Sequence, residues 1–290
     1  MSYDFDLFVI GGGSGGIATA RRAAEYGAKV ALAESNRLGR TCVNRGCIPK
    51  KLMVYASHFP DLFEEAQGYG WSALESHLDW SKLIAAVNGE VERLNGVYQR
   101  MLDNSGVKSF SGYAKFLDPH TLEIGDQKVT ADKVLIAVGG HPIKPDIPGI
   151  EHTIVSDGMF HLKEQPKRIV ILGAGYIGVE FACIMNGLGS EVTQIVRGDK
   201  ILRGFDEDIR SEIQEGMHEH GIQVLTNTIP TAIEKTPEGL KLTLKGEIEE
   251  IVLADAIGLA ATGRKPSLDN LGLENAGVKV HNGAIAVDEY

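Results

Sequence analysis

Cysteine is scarce in this 290-residue chain: there are three, an odd number, which disfavours a framework of structural disulfides and leaves any close pair free for a specialised role. Aromatic residues make up only 7%. Long apolar runs are missing as well; none approaches the roughly 18 residues that a membrane-spanning helix needs, so no membrane partner is expected. A basic excess is also absent. The net charge is -10 with a pI near 5.4, which argues against nucleic acid or an anionic membrane surface as the main partner. Any anionic ligand must then be held by local arginines and backbone N–H groups. The start, Met1 to Asp6, carries two acids and runs straight into an apolar strand. It has neither the basic start nor the long apolar core of a signal peptide, so the cytoplasm is the expected location.

Glycine is abundant, at 35 residues, and 43% of the chain is hydrophobic. That is enough for a sizeable core, a length of about two domains, and an α/β protein with many tight strand-to-helix turns. The run Leu7-Phe8-Val9-Ile10 is followed by Gly11-Gly12-Gly13-Ser14-Gly15-Gly16, a helical stretch through Ala24 and a second strand, Lys29 to Glu34. A second copy of this βαβ pattern begins at Arg168–Leu172, turns at Gly173-Ala174-Gly175-Tyr176-Ile177-Gly178, runs a helix to about Leu188 and returns as Glu191 to Val196. Between them, Pro49 to about Asn104 reads as helices with a break near Gly68–Gly70, and Val107 to Val138 as short strands. Turn formers from Gly139 to Gly149 and from Thr262 to Pro266 mark two junctions. The expected fold is α/β, with two Rossmann-like dinucleotide-binding domains, the second inserted in the first: residues 1–140 and 266–290 form one, 141–265 the other.

The first unit carries G-x-G-x-x-G at Gly11, Gly13 and Gly16, and an acid, Glu34, closing the next strand. Glycines there let the backbone approach a pyrophosphate at the helix N-terminus, where unpaired N–H groups and the helix dipole favour negative charge, while the acid accepts from a ribose hydroxyl. In the second unit the corresponding position is Val196, followed by Arg197 and then Arg203. A carboxylate there would repel a 2′-phosphate and guanidinium groups bind one, so the second site should prefer NADPH to NADH. The bland alternative is a pair of solvated arginines at a strand end.

Cys42 and Cys47 are separated by four residues, so in a regular helix the axial rise alone, about 7.5 Å, would exceed the roughly 7 Å Cα limit of a disulfide. The segment must distort if the two are to pair, and Gly46 and Pro49 supply the means. A strained, accessible disulfide suits redox catalysis. Metal binding is the rival reading, but structural zinc needs four ligands and no second Cys/His cluster has suitable spacing, so no metal is expected. His218 and His220 read as solvated. Cys183, on the second unit's helix with Val179 four positions earlier, reads as a buried packing residue.

Taken together, the first fingerprint, Thr41-Cys42-x4-Cys47-Ile48-Pro49-Lys50-Lys51 and the second fingerprint resemble the pyridine nucleotide-disulfide oxidoreductase family over essentially the whole chain. Lys50-Lys51 is similar to its glutathione, trypanothione and large thioredoxin reductases rather than to its lipoamide dehydrogenases; Ala18, Arg21 and Arg22 on the first helix then resemble the glutathione reductase branch, and Arg45 the plant and cyanobacterial members. The resemblance implies reduction of glutathione disulfide by NADPH through FAD and a redox-active Cys42–Cys47 disulfide. Catalytic residues would be Cys42, Cys47, Lys50 and Glu180, with Cys47 on the flavin side and Cys42 the thiol that attacks substrate. FAD and NADPH contacts would fall on Gly11, Gly13, Ser14, Gly15, Gly16, Glu34, Thr41, Cys42, Lys50, Ala114 and Gly139, and on Gly173, Gly175, Tyr176, Ile177, Gly178, Glu180, Arg197, Arg203 and Gly263. Glutathione disulfide would meet Ser14, Ala18, Arg21 and Tyr98.

The sequence departs from that pattern at Gly178, where alanine is usual in NADPH-using members, and at Arg40, where glycine is usual. It ends at Tyr290, before the family's dimer-interface domain and the His-Pro-Thr histidine that serves the partner subunit's site; His141-Pro142 is followed by Ile143. The full-length enzyme is therefore expected to be a homodimer. The competing expectations are a nucleotide-binding module without turnover and a mercuric or lipoamide-type reductase.

Overall fold

The structure, a computed structural model, describes residues 2–246, 251–255 and 258–289. Its contacts divide the chain into two units, one made of residues 1–48, 88–141 and 265–290, the other of 49–87 and 142–264.

In the first unit β1 (Phe5–Ile10) leads into α1 (Ser14–Glu25) and β2 (Val30–Glu34). The short α2 (Arg40–Arg45) follows; the chain then runs through α3 (Cys47–Ser57) and α4 (Phe59–Gln67), which belong largely to the second unit, and returns along the long α5 (Trp80–Asn104). Four further strands, β3 (Lys108–Ser111), β4 (Ala114–Phe116), β5 (Thr121–Ile124) and β6 (Gln127–Ile136), complete a sheet of order β3-β2-β1-β6-β5-β4. The first four are parallel, with Leu7 opposite Val30 and Phe8 opposite Val134. The apolar run of β1 is continuous because a parallel sheet is covered on both faces. Leu7 and Val9 pack with Ile17, Ala20 and Leu102 from the helices, while Phe8 and Ile10 pack with Phe110, Leu122 and Ile124 on the other side. Strand β2 repeats the alternation, Leu32 joining the first cluster and Ala31 and Ala33 the second.

The second unit uses the same scheme. After β7 (Gly140–Pro142) and α6 (Ser156–Met159) come β8 (Arg168–Leu172), α7 (Tyr176–Gly187), β9 (Glu191–Ile195), α8 (Glu207–Glu219) and β10 (Gln223–Leu225). An antiparallel meander, β11 (Thr228–Thr236), β12 (Gly239–Gly246) and β13 (Ile251–Ala254), precedes β14 (Gly258–Ala260). The parallel sheet has the order β10-β9-β8-β14, matching β3-β2-β1-β6. Ile169 and Ile171 face a core that holds Phe181, Met185 and Met217. Val170 and Leu172 face the meander through Leu240, Leu242 and Ile233. Residues 49–87 pack into this unit because Met53, Trp80 and Val87 share its larger core, and the Trp80 indole donates to the Leu162 carbonyl at 2.9 Å.

In each sheet the first strand is flanked by the second on one side and by a later strand on the other. That reversal of strand order opens a crevice beyond the carboxyl ends of the strands, where α/β sheets bind ligands.

Candidate cofactor and redox site

The two strand-to-helix turns divide the work of their glycines in the same way. A Cβ at Gly11 would lie 2.4 Å from the Ala137 carbonyl oxygen, and one at Gly16 would lie 1.9 Å from that of Gly11. These two positions are needed for close packing of turn, helix and strand. Gly15 has nothing within 4 Å, and Gly13 only the Arg40 side chain. Space beside the turn is thus kept open at the helix N-terminus. In the second unit a Cβ at Gly173 would meet the Ala261 oxygen at 2.3 Å and one at Gly178 the Gly173 oxygen at 2.8 Å, while Gly175 again has nothing within 4 Å. Packing glycines behind and an open glycine in front is the cradle that a diphosphate requires.

Glu34 is buried, at 4% exposure. Its Oε2 accepts from the Gly12 N–H and its Oε1 from the Asn36 N–H, both at 2.7 Å. The Arg40 Nε lies 3.4 Å from the same Oε1. The carboxylate thus stands at the edge of a cleft that Gly11, Arg40, Gly112, Tyr113, Ala114 and Ser267 also line. Of these, Gly112, Tyr113 and Ser267 went unread in the sequence. The Gly112-Tyr113-Ala114 turn following β3 was the available signal, since Gly112 has φ +151. Gly139 also takes a positive φ, and its carbonyl accepts from the Ser267 N–H at 2.9 Å. Tyr113 donates its hydroxyl to the Asp269 carbonyl, and burial raises its phenol pKa.

Helix α2 ends at Gly46 and α3 begins at Cys47. A Cβ at Gly46 would sit 2.7 Å from the Thr41 carbonyl oxygen and 3.4 Å from the Cys42 Cα, so the break folds Cys47 back towards Cys42. Both are free thiols here, Cys42 half-buried and Cys47 exposed. The Cys42 thiol has Cys47 and Ser14 as its polar neighbours, so the first residue of α1 lies beside the cysteine pair. Burial, and then the neighbouring Cys47, push the Cys42 pKa up. The preceding loop is pinned by Asn44, whose amide donates to the Leu38 and Arg40 carbonyls, both at 3.0 Å, and whose oxygen accepts from Asn95 at 2.8 Å. Both asparagines were missed in the sequence; a capping amide inside a six-residue helix leaves no periodic signature.

Ala18 is exposed on α1 and Tyr98 is half-buried against the Ile17–Ala20–Leu102 cluster. Arg21 is engaged, its Nε 3.3 Å from the Ser105 hydroxyl and its guanidinium 3.7 Å from Glu25. In the second unit Lys50 Nζ lies 2.7 Å from Glu180 Oε1. Tyr176 opens α7 and is 55% exposed, with Ile177 half-buried beside it. Gly263, at φ +146, accepts from the Ile143 N–H at 2.9 Å. Arg197 and Arg203 are exposed. The loop that carries them is tied to the second turn by Leu202, whose N–H donates to the Ala174 carbonyl at 2.7 Å. Arg210 fastens it from α8, its Nε 2.8 Å from the Ile201 carbonyl.

Cys183 requires a correction. It is exposed, not a buried packing residue, because the apolar face of α7 is taken by Phe181, Ala182, Ile184 and Met185. Neighbouring atoms still withhold enough water to push its thiol pKa up. His218 and His220 are exposed, and among the described residues no group of three His, Cys, Asp or Glu is placed to hold a metal.

The departure at Gly178 has a local cause. A Cβ there would meet not only the Gly173 oxygen but also the Gln194 Nε2 at 3.1 Å, and that amide donates to the Gly173 carbonyl at 2.7 Å. Gly178→Ala is expected to cost about 1–3 kcal/mol through overpacking. Thermal unfolding would read this, with NADPH affinity falling in parallel. Adding Gln194→Ser should recover part of both losses.

The sequence matches the pyridine nucleotide-disulphide oxidoreductase family over residues 5–290. The chain belongs to this family. Members of it use FAD and NADPH, which accords with two diphosphate cradles in one chain. The chain is 58% identical to glutathione reductase of Nostoc sp. over all of its own length and 65% of that protein's. It is 46% identical to the chloroplastic/mitochondrial glutathione reductase of Pisum sativum, covering 99% of the chain and 54% of the relative. It therefore spans less than two thirds of the curated relatives it matches. Among solved structures, it superposes on the HOCl-induced flavoprotein disulfide reductase RclA of Escherichia coli with a TM-score of 0.85 and 30% identity, over 98% of this chain and 62% of that one. No helix among the described residues is long and apolar enough to cross a membrane.

Proposed function

We propose that this chain is the FAD- and NADPH-binding part of a disulfide reductase that uses NADPH to reduce glutathione disulfide through a redox-active Cys42–Cys47 pair. The observation that carries the reading is the place of Ser14 beside the Cys42 thiol. It supports a cysteine pair next to a dinucleotide cradle, and the names of the relatives favour glutathione disulfide as the substrate.

The first cradle, Gly11 to Gly16 with Glu34, Thr41, Ala114 and Gly139, holds FAD. The second, Gly173 to Gly178 with Arg197, Arg203 and Gly263, holds NADPH. Bound FAD supplies a carrier that takes two electrons from NADPH and delivers them to the disulfide. The protein then does thiol chemistry. The Cys42 thiolate attacks one sulfur of glutathione disulfide, forming a mixed disulfide and releasing one glutathione as thiolate. Cys47 attacks the Cys42 sulfur, releases the second glutathione and restores the intramolecular disulfide. Two protons reach the departing thiolates, so the sum is NADPH, one proton and glutathione disulfide giving NADP⁺ and two glutathione molecules. Arg21 suits the glycine carboxylates of the substrate and Tyr98 its two halves. Lys50 is paired with Glu180 at 2.7 Å. We place the enzyme in the cytoplasm as a homodimer in its full-length form, without nucleic-acid or membrane partners, in keeping with a net charge of -10.

Flavin content and a substrate panel test this. A yellow protein that oxidises NADPH with glutathione disulfide, and much more slowly with oxidised lipoamide or mercuric ion, supports it. A colourless protein that binds NADPH alone would overturn it.

A further inference from the structure

We infer that Arg40 is a diphosphate ligand of the first cradle, held in reserve by Glu34 until the dinucleotide binds. The inference rests on the FAD reading of that cradle and assigns a new residue to it. Arg40 sits at φ +41, directly after Gly39 at φ +84. A left-handed backbone is unfavourable for a residue with a long side chain. The strain is met at a place with chemical use.

The Arg40 side chain runs past the open glycine of the turn, its Cβ and Cγ 3.5 and 3.8 Å from where a Gly13 Cβ would be. Among the described residues it is the one cation lining the cleft, and Glu34 is the one anion. Their contact is loose, at 3.4 Å, and Glu34 is already held by two backbone N–H groups at 2.7 Å. Releasing Arg40 therefore leaves the carboxylate satisfied and free to accept ribose hydroxyls. The guanidinium gains a doubly charged diphosphate in a protein that carries a net charge of -10. Guanidinium and phosphate form short, often bidentate bonds that a carboxylate at 3.4 Å does not match. Arg40 and Glu34 thus exchange partners when the dinucleotide arrives.

Three properties of Arg40→Gly and Arg40→Lys decide this: FAD affinity of the flavin-stripped full chain by fluorescence titration, the ionic-strength dependence of that affinity, and the melting temperature. The glycine variant is expected to bind FAD roughly tenfold to a hundredfold more weakly at low ionic strength, the scale of one charge-assisted contact. Its salt dependence should be flatter, while its melting temperature stays level or rises with relief of the left-handed residue. Lysine should keep most of the salt dependence. Unchanged or tighter FAD binding by Arg40→Gly, with normal binding by the parent chain, would overturn the role and leave the FAD reading standing. A parent chain that binds NADPH but no FAD would remove both.

Discussion

Cys47→Ser is expected to lower NADPH-driven reduction of glutathione disulfide by at least roughly a thousandfold, the scale on which loss of a covalent nucleophile acts, and Cys42→Ser to do the same. The two thiols are neighbours, and in the proposed cycle each has a step the other cannot take over. Without Cys42 nothing attacks the substrate; without Cys47 the mixed disulfide has no intramolecular exit. Thiol counting separates this from simple misfolding. The oxidised parent chain should expose two additional titratable thiols after anaerobic NADPH, and neither serine variant should expose any by that route. Both variants should melt within a few degrees of the reduced parent, since a sulfur-to-oxygen change at a half-buried or exposed position removes little packing. Cys183 supplies an internal control. It is exposed with a raised pKa, remains a thiol throughout, and its replacement should leave turnover intact. A serine variant that still turned over at a tenth of the parent rate would rule out the paired mechanism.

The doubly wound architecture was legible because parallel strands write it twice. Leu7 to Ile10 and Ile169 to Leu172 are continuous apolar runs ending at glycine turns, and both are buried on two faces. The break between the cysteines was legible for a similar reason. A helix cannot bring residues five apart together, and Gly46 is where the helix stops. What stayed hidden depends on contacts between distant segments. Asn44 and Asn95 are 51 residues apart and meet in one amide pair, and Ser267 reaches the Gly139 carbonyl from the far end of the chain. Local pattern carries no record of such meetings. Cys183 was misread for a related reason, because one apolar neighbour four residues away does not say which side of α7 faces the core. At Arg40 and Gly178 the residue type was noticed, but only the structure supplies Glu34 and Gln194 as the side chains that explain them.

Removing both guanidinium groups beside the second cradle, as Arg197→Ala with Arg203→Ala, is expected to raise the KM for NADPH by on the order of a hundredfold or more, from about 1.5–3 kcal/mol per hydrogen bond to a charged group. The KM for NADH should change little. Both arginines are exposed, so their loss should leave stability within about 0.5 kcal/mol, and a change in KM would report binding alone. The turnover number with saturating NADPH should stay near that of the parent, because the 2′-phosphate is remote from the hydride and its binding is the same in ground and transition states. The two residues need not contribute equally. Arg203 follows Leu202, whose N–H is bonded to the Ala174 carbonyl of the turn, so its backbone is fixed against the cradle. Arg197 lies just past β9, where Val196 N–H is bonded to the Leu225 carbonyl. Arg210→Ala gives a further check. It frees the Ile201 carbonyl and loosens the loop, so NADPH affinity should fall even though Arg197 and Arg203 are both present. If the double variant still preferred NADPH over NADH as strongly as the parent, the 2′-phosphate would be recognised elsewhere, and the reading of this loop would be wrong.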